Sequence, residues 1–458
     1  MTGNKKIALL GGGGVRTPLL IHGLAQSRGA IGARELALYD IDSGRAALME
    51  ALGREIARDS GLRITTAASV TEAVDGAAFV LSSLRVGGIE ARARDERIAI
   101  EHGMAGQETT GPGGLAMALR TIPVALEHAR TIEQYARGAW LINFTNPAGL
   151  ITQALMSHSG ARVIGICDTP AELFHRIAWS LGEPVEDVEC KYSGLNHLGW
   201  VRNVLLREED ITARLLRDDS ALLRLYPADL FDPALIRALG LIPTEYLFFY
   251  YSRTRAYNNQ RTTGSTRGEE IARLNADLLR DLAREVAQDQ PRQALVVYKS
   301  YLNRRNSSYM RLEANAESAF SQGEHDWDPF EGATGYHRIA IDVMTALSSR
   351  QPEKVVVNVR NDRAIQDFAP DDVVEVPCLI DERGAVPLAV GCLPEVARGL
   401  ALAVKVYERL AIRAAVEKSF DLARLALFIN PLVGGWEVAT NVLKALLESD
   451  AEHLGYLR

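Results

Sequence analysis

Residues 5–170 alternate short apolar runs with amphipathic stretches, and this rhythm restricts the fold more than any other property of the 458-residue chain. The runs read KIALLGG, ELALYD, LRITTA, AAFVLSS, AWLINFTN and RVIGICD, with helical stretches between them. Strands joined by helix-length segments form the βαβ unit of a parallel, doubly wound sheet. The expected fold is α/β, with an N-terminal Rossmann-like domain over residues 1–170. Ligands of such sheets bind outside the carboxyl ends of the strands. This chain places residues 11–14, Asp40, residues 82–85, residues 143–146 and the pair Cys167-Asp168 there, so one crevice is expected to collect them.

From about residue 171 the rhythm changes. Helical stretches over 171–182, 268–288 and 395–424 are interrupted by strand-like KYSGLNHLGWVRNVLL, ALVVYKSYLN and VVEVPCLI. Residues 171–458 are therefore expected to form a C-terminal α+β domain packed directly on the first, serving substrate and oligomer contacts. No repeat of roughly 20 to 50 residues and no low-complexity linker marks the chain.

Composition excludes several kinds of partner. Hydrophobic residues make up 47% of the chain and charged residues 24%, which is ordinary for a globular enzyme and unlike a disordered protein. The formal charge is −7 with both signs interleaved, which leaves no basic stripe for nucleic acid or anionic lipid. No segment approaches the roughly 20 apolar residues that cross a bilayer. The glycines of MTGNKKIALLGG cut its apolar run far below signal-peptide length. Neither nucleic acid nor a membrane is an expected partner. The four cysteines, Cys167, Cys190, Cys378 and Cys392, are sparse and lie inside apolar runs, which favours a reducing compartment over a disulfide framework. A cytoplasmic location is expected.

Gly11, Gly12, Gly13 and Gly14 follow the first strand and precede PLLIHGLAQS. Small residues there let helix N-terminal amides approach a pyrophosphate; Arg16 stands at the later glycine of the usual pattern, and a bare glycine turn is the alternative. Asp40 ends ELALYD about a helix's length later. An acid there can bond adenosine ribose hydroxyls, which favours NAD over NADP; helix capping is also compatible with it. Gly11, Gly13, Gly14 and Asp40 are the candidate dinucleotide contacts.

Cys167 alone reads as a buried strand residue, since free cysteine behaves as a small hydrophobe. It stands, however, at a strand's carboxyl end, directly before Asp168, with Asn196-His197 following in the glycine-bounded segment GLNHLGW. A soft thiolate and an imidazole suit a d-block ion. Two ligands with open positions suit catalysis better than a closed structural site, which takes four. Asn146 in NFTNPAG closes another strand, where asparagine bonds sugar hydroxyls, ribose or phosphate, and where Asn-Pro equally makes a turn. GQETTGPGG is a glycine-rich loop with one acid, Glu108. Arg92, Arg94 and Arg267 read first as solvated helix charges, and Tyr246, Tyr250 and Tyr251 in IPTEYLFFYY as core aromatics.

In order and spacing, the glycine turn, GQETTGPGG, NFTNPAG, GICDTP, GLNHLGW, IPTEYLFFYY, TRGEE, VVVNVRNDRAIQDFAPDDVVEVPCLID and NPLVGGWEVA together resemble glycoside hydrolase family 4, nearly end to end. Its members are NAD- and metal-dependent glycosidases that depart from the two-carboxylate scheme. The resemblance implies that Cys167 and His197 are ligands of a divalent metal, usually manganese. It implies that Asp168 is the acid that assists leaving-group departure in some members, that Tyr246 is the base that removes the C2 proton, and that Glu108 raises that tyrosine's basicity. Arg92, Asn146 and Arg267 match substrate-binding positions. NAD, a sugar or sugar-phosphate substrate and a homodimer or homotetramer are implied with them.

The implied chemistry is a cycle in which hydride passes from C3 to NAD, Tyr246 takes the acidified C2 proton, and elimination releases the aglycone with help from Asp168. Water addition and hydride return make the net reaction hydrolysis. GLNHLGW and VRTPLL look like the 6-phospho-β-glucosidase branch, which is the expected activity. Two departures stand against it. Many phosphoglycosidases of the family have a phosphate-binding serine where Gly14 stands, and many β-specific members have Cys-Asn where this chain has Cys167-Asp168, a pair familiar from α-specific ones. The alternative within the family is an α-glycosidase or 6-phospho-α-glucosidase. Outside it stand a net NAD-dependent 2-hydroxy acid dehydrogenase and an NAD-sensing regulator, the latter opposed by the Cys167, His197 and Tyr246 set.

Overall fold

The computed structural model describes residues 5–226, 230–310, 312, 328, 330 and 335–457. Strands β1 (Lys5–Leu10), β2 (Ala33–Tyr39), β3 (Arg63–Thr66), β4 (Ala77–Ser82), β5 (Trp140–Asn143) and β6 (Arg162–Gly165) run parallel in the order β3-β2-β1-β4-β5-β6. Their centres, including Ile7, Leu9, Leu36, Leu38, Val80, Leu81 and Ile142, are fully buried, as strands covered by helices on both faces must be. The order reverses between β1 and β4, which opens a crevice at the carboxyl ends of those two strands. The expected doubly wound sheet is present.

The sheet continues past β6. Strands β7 (Val188–Leu195), β8 (Leu198–Leu206), β9 (Glu209–Asp210), β10 (Ile242–Pro243), β11 (Glu353–Arg360), β12 (Val373–Asp381) and β13 (Gly384–Pro387) extend it as β6-β11-β12-β7-β8-β10, with β13 on β12 and β9 on β8. One line of paired residues crosses the whole: Leu10, Ser82, Asn143, Gly165, Asn358, Glu375, Gly194 and Gly199. Gly11 and Cys167 lie just past its parallel members. The β7–β8 turn is drawn to the same place, since Asn196 Oδ1 accepts from the Gly149 amide at 3.3 Å, beside the end of β5.

Three segments differ from expectation. KYSGLNHLGWVRNVLL belongs to the β7–β8 hairpin, with His197 at its turn in the left-handed region, φ 59. ALVVYKSYLN is part of the helix Pro291–Ser307. Its valines and tyrosines favour strands locally, but Ala294, Tyr298, Tyr301 and Leu302 bury one helical face while Val296 is 57% exposed, so tertiary burial overrides propensity. The stretch 395–424 holds the helix Glu395–Glu417 and the start of a second, Phe420–Ile429. The first ends at Lys418 with φ 58, and the Ser419 side chain caps the second. All four cysteines are free, and Cys392 is exposed. Among the described residues no helix is long and apolar enough to cross a membrane.

Lys405, fully buried on the helix Glu395–Glu417, fastens that helix to the sheet. Its ammonium donates to Gln153 Oε1 and to the Val373 carbonyl, each at 2.8 Å, and pairs with Glu408. Because Val373 begins β12, this knot sets the strand that crosses the middle of the molecule. Lys405→Met leaves Glu408 buried without its cation and is expected to cost about 3 kcal/mol, whereas Lys405→Met with Glu408→Leu recovers most of that loss. Urea unfolding of the three proteins measures both effects.

Candidate active site

The turn after β1 shows why four glycines stand in a row. Gly11 has φ +87, and a Cβ there would lie 2.2 Å from the Ser83 carbonyl oxygen. One on Gly12 would meet the Leu38 side chain at 2.8 Å, and one on Gly13 the Asp40 carboxyl at 2.9 Å. Without side chains the turn lies directly against β2 and β4. The helix that follows, Thr17–Ile31, begins without a side-chain cap, which suits its first amides to an anion. Asp40 accepts from the Gly13 amide at 2.9 Å and from the Asp42 amide at 3.0 Å. It therefore braces the glycine turn, and Asp42 is the residue that caps the next helix. A tight turn before an uncapped helix fits a dinucleotide pyrophosphate.

The crevice opens into a cavity of about 1160 Å³, lined among others by Gly14, Arg92, Glu108, Asp168, Tyr246 and Arg267. Arg92 and Arg267 are buried, contrary to a solvated reading, while Arg94 points out. Arg92 lies 2.8 Å from Glu96 and from Glu108, and Glu108 also meets Arg85 at 2.7 Å. Burial opposes ionisation of Glu108, but Arg85 and Arg92 overcome it and hold the carboxyl well below its usual range. Arg267 begins a helix capped by Thr266 and Glu269; it pairs with Glu270 at 2.7 Å and donates to Ser308 Oγ at 2.6 Å.

Asp168 is the N-cap of the helix Thr169–Leu181. Thr169, Glu172, His175, Arg176 and Trp179 on that helix all line the cavity, which at helical spacing makes one face of it a wall. Burial, and next Glu172, push the Asp168 carboxyl above the usual range, while Arg16 at 3.8 Å acts against them. Tyr246 lies flat on the His197 imidazole, ring centroids 3.8 Å apart and planes 3° from parallel. Burial, then Tyr336, Glu108 and Glu245, raise its phenol well above the ordinary value, and a hydrogen bond with Tyr309 works the other way.

The hydrogen bonds of His197 define its protonation. Its Nδ1 is 2.9 Å from Thr109 Oγ1, and the Thr109 hydroxyl donates to Gln107 Oε1 at 2.7 Å. That hydroxyl has a single proton, so toward His197 it accepts, and the ring proton sits on Nδ1. Nε2 is left with a lone pair, buried and without a hydrogen-bond partner. Burial drives the imidazole's pKa down to about 4, which keeps it neutral. A neutral ring, oriented through Nδ1 and open at Nε2, is the form that binds a metal.

Cys167 is also buried. Burial, then Glu375, then Asp168, push its thiol up, so a bound cation is needed to make it a thiolate. It faces a second cavity of about 830 Å³ and does not line the first. Asn146 lies off the first cavity wall too, with Oδ1 buried and unpartnered. Among the described residues no three His, Cys, Asp or Glu side chains converge as a metal-binding group. By donor type, a thiol and a neutral imidazole suit an open metal site better than a closed structural one, which takes four ligands.

Several residues of the site escaped the sequence reading. Gln107 and Thr109, which set the His197 tautomer, lie in GQETTGPGG, where only Glu108 drew notice. Glu375 is a lone acid inside VVEVPCLI, a charge in an otherwise apolar strand and so a readable signal. Trp179, Tyr309 and Tyr336 carried none, because only the folded chain brings them to the cavity.

Comparison with known proteins gives the family. The chain matches the family model of the family 4 glycosyl hydrolases over residues 6–183 and that of the family 4 glycosyl hydrolase C-terminal domain over residues 192–433. It is 33% identical to a probable 6-phospho-beta-glucosidase of Bacillus subtilis (strain 168), over 100% of this chain and 98% of that protein. Its fold superposes with a TM-score of 0.83 on the 6-phospho-beta glucosidase from Thermotoga maritima, solved with NAD and glucose-6-phosphate, at 28% identity over 98% of this chain and 99% of that one. A second structure of the Thermotoga enzyme holds manganese, NAD+ and glucose-6-phosphate. A 6-phospho-alpha-glucosidase from gut microorganisms, solved with NAD and glucose-6-phosphate, superposes with a TM-score of 0.84 at 27% identity over 99% of each chain. With both halves matched, this chain belongs to family 4 of the glycosyl hydrolases.

Proposed function

We propose that this protein hydrolyses 6-phospho-β-glucosides by an NAD- and manganese-dependent cycle of oxidation, elimination, water addition and reduction. One observation carries the reading: Tyr246 stacks on His197, whose free Nε2 is buried, at the wall of a cavity that also holds Asp168 and the Glu108–Arg92 pair. The glycine turn would hold NAD, which would supply a hydride acceptor, and Cys167 and His197 would hold manganese, which would supply a Lewis acid.

The chain's own residues then have distinct tasks. Tyr246 removes the C2 proton, which is acidic while C3 is at the ketone level, and the Glu108 charge makes its phenolate the stronger base. Asp168 gives a proton to the glycosidic oxygen as it departs. Arg92, Arg267 and Asn146 orient the glycone. Glycine at position 14 removes a serine hydroxyl, but Arg16 and Thr17 line the cavity beside it. Thr17 Oγ1 lies 3.9 Å from where a Gly14 Cβ would be, so a cation and a hydroxyl for the 6-phosphate are at hand. The aglycone leaves along the helix Thr169–Leu181, whose cavity face runs from Asp168 to Trp179, about 16 Å at the helical rise.

The second reading is a 6-phospho-α-glucosidase, favoured by the Cys167-Asp168 pair. A cytoplasmic location accords with the four free cysteines. Assembly as a homodimer or homotetramer accords with Val396, Leu402, Val406 and Val416, exposed on the helix Glu395–Glu417.

Nitrophenyl glycosides of both anomers, with and without 6-phosphate, test the activity. The 6-phospho-β-glucoside is expected to be cleaved fastest, and only with NAD+ and Mn2+; preference for the α anomer selects the second reading, and NADH accumulating without nitrophenol release overturns both. Tyr246→Phe is expected to lower kcat by about 100-fold or more and to abolish solvent-deuterium exchange at C2, whereas exchange at the wild-type rate would move the base elsewhere. His197→Ala is expected to weaken Mn2+ binding by at least about tenfold in a calorimetric titration, with NAD+ affinity retained; unchanged Mn2+ affinity removes it from the ligand pair.

A further inference from the structure

A carboxylate enclosed by protein is costly unless a cation or enough donors answer it. Several other enclosed carboxylates of the described chain have their cations: Glu96 has Arg92, Asp95 has Arg120, Asp372 has Arg409, and Glu408 has Lys405. Glu375, on β12, is 0% exposed and has none among the described residues. Its partners are all neutral. The Tyr192 hydroxyl donates to Oε2 at 2.6 Å, and the Asn358 and Asn196 amides donate to Oε1 at 2.8 and 3.2 Å.

The position of Glu375 explains what is missing. Asn196 directly precedes His197 in the β7–β8 turn, so Glu375 and the Gly149 amide grip that turn from two sides. Two acids of the first cavity have cations beside them: Asp168 is answered by Arg16, and Glu108 by Arg85 and Arg92. A divalent ion on one thiolate and one neutral imidazole would keep a single positive charge, and Glu375, bonded to the residue before His197, is an anion to meet it.

We propose that Glu375 is a positioning residue of the metal site, whose counter-charge is the divalent cation on Cys167 and His197 and whose hydrogen bond to Asn196 sets the turn that presents His197. The inference rests on the metal assignment above and not on the choice of sugar.

The test is calorimetric titration of Mn2+ into the metal-free full chain, with thermal melts before and after Mn2+, for wild type, Glu375→Gln and Glu375→Asp. Glu375→Gln keeps the size and hydrogen-bonding reach of the side chain and removes its charge. It is expected to raise the Mn2+ Kd by at least about tenfold. Its metal-free melting temperature should equal or exceed that of wild type, because an unanswered buried charge is gone. Glu375→Asp keeps the charge and is expected to stay within about threefold of wild type for Mn2+. Wild-type Mn2+ affinity in Glu375→Gln overturns the proposal. So does a metal-free Glu375→Gln that melts lower or fails to fold, which would mark a merely structural residue, and so does an equal loss in the aspartate variant, which would assign the effect to shape. A wild-type chain that takes up no Mn2+ overturns the metal assignment along with it, whereas inactivity on every 6-phosphoglucoside with Mn2+ binding intact leaves the role of Glu375 standing and removes only the substrate reading.

Discussion

The bridge between Gly165 and Asn358 ties the parallel half of the sheet to the rest of the molecule. It works only because residue 165 has no side chain: a Cβ there would lie 2.2 Å from Thr152 Oγ1 and 2.8 Å from the Asn358 Cβ. Through this close approach β6, which leads into Cys167 and Asp168, is followed across the sheet by β11, β12 and the hairpin that carries His197. Cys167 and His197, the pair proposed to hold the metal, come from different halves of the chain. Their relative position is a property of the sheet, not of either segment.

On this frame the site is built from charges taken out of water and then answered. Two guanidiniums keep Glu108 ionised beside Tyr246, and Arg16 stands against the burial that would protonate Asp168. Gln107 takes the Thr109 hydroxyl proton, so that Thr109 accepts from one nitrogen of His197 while the other stays bare. Preorganised dipoles and charges of this kind do most of their work where water is excluded. The stacked Tyr246 and His197 set the proposed base beside the proposed metal donor, as a reaction at adjacent sugar carbons requires.

The parallel strands and the glycine turn were legible because they are local: apolar runs at regular intervals and small residues at a strand's end leave a trace in one dimension. The hairpin around GLNHLGW was seen as one strand-like stretch, since its turn is set by His197 taking a positive φ rather than by glycine. ALVVYKSYLN was misread because β-branched residues favour strands locally, whereas burial of Ala294, Tyr298 and Tyr301 on one face makes it a helix. Arg92 and Arg267 looked like surface charges. They are buried, and only Glu96, Glu108 and Glu270 explain how they can be.

The sequence by itself determined the doubly wound sheet, the glycine turn and the candidates for the reactive side chains, because periodicity and motif order are written along the chain. The tertiary structure alone decided which of those side chains share a pocket, which nitrogen of His197 carries the proton, and that Glu375 is enclosed without a cation. These depend on distances between residues far apart in sequence and on how completely water is excluded, and neither quantity exists until the chain has folded.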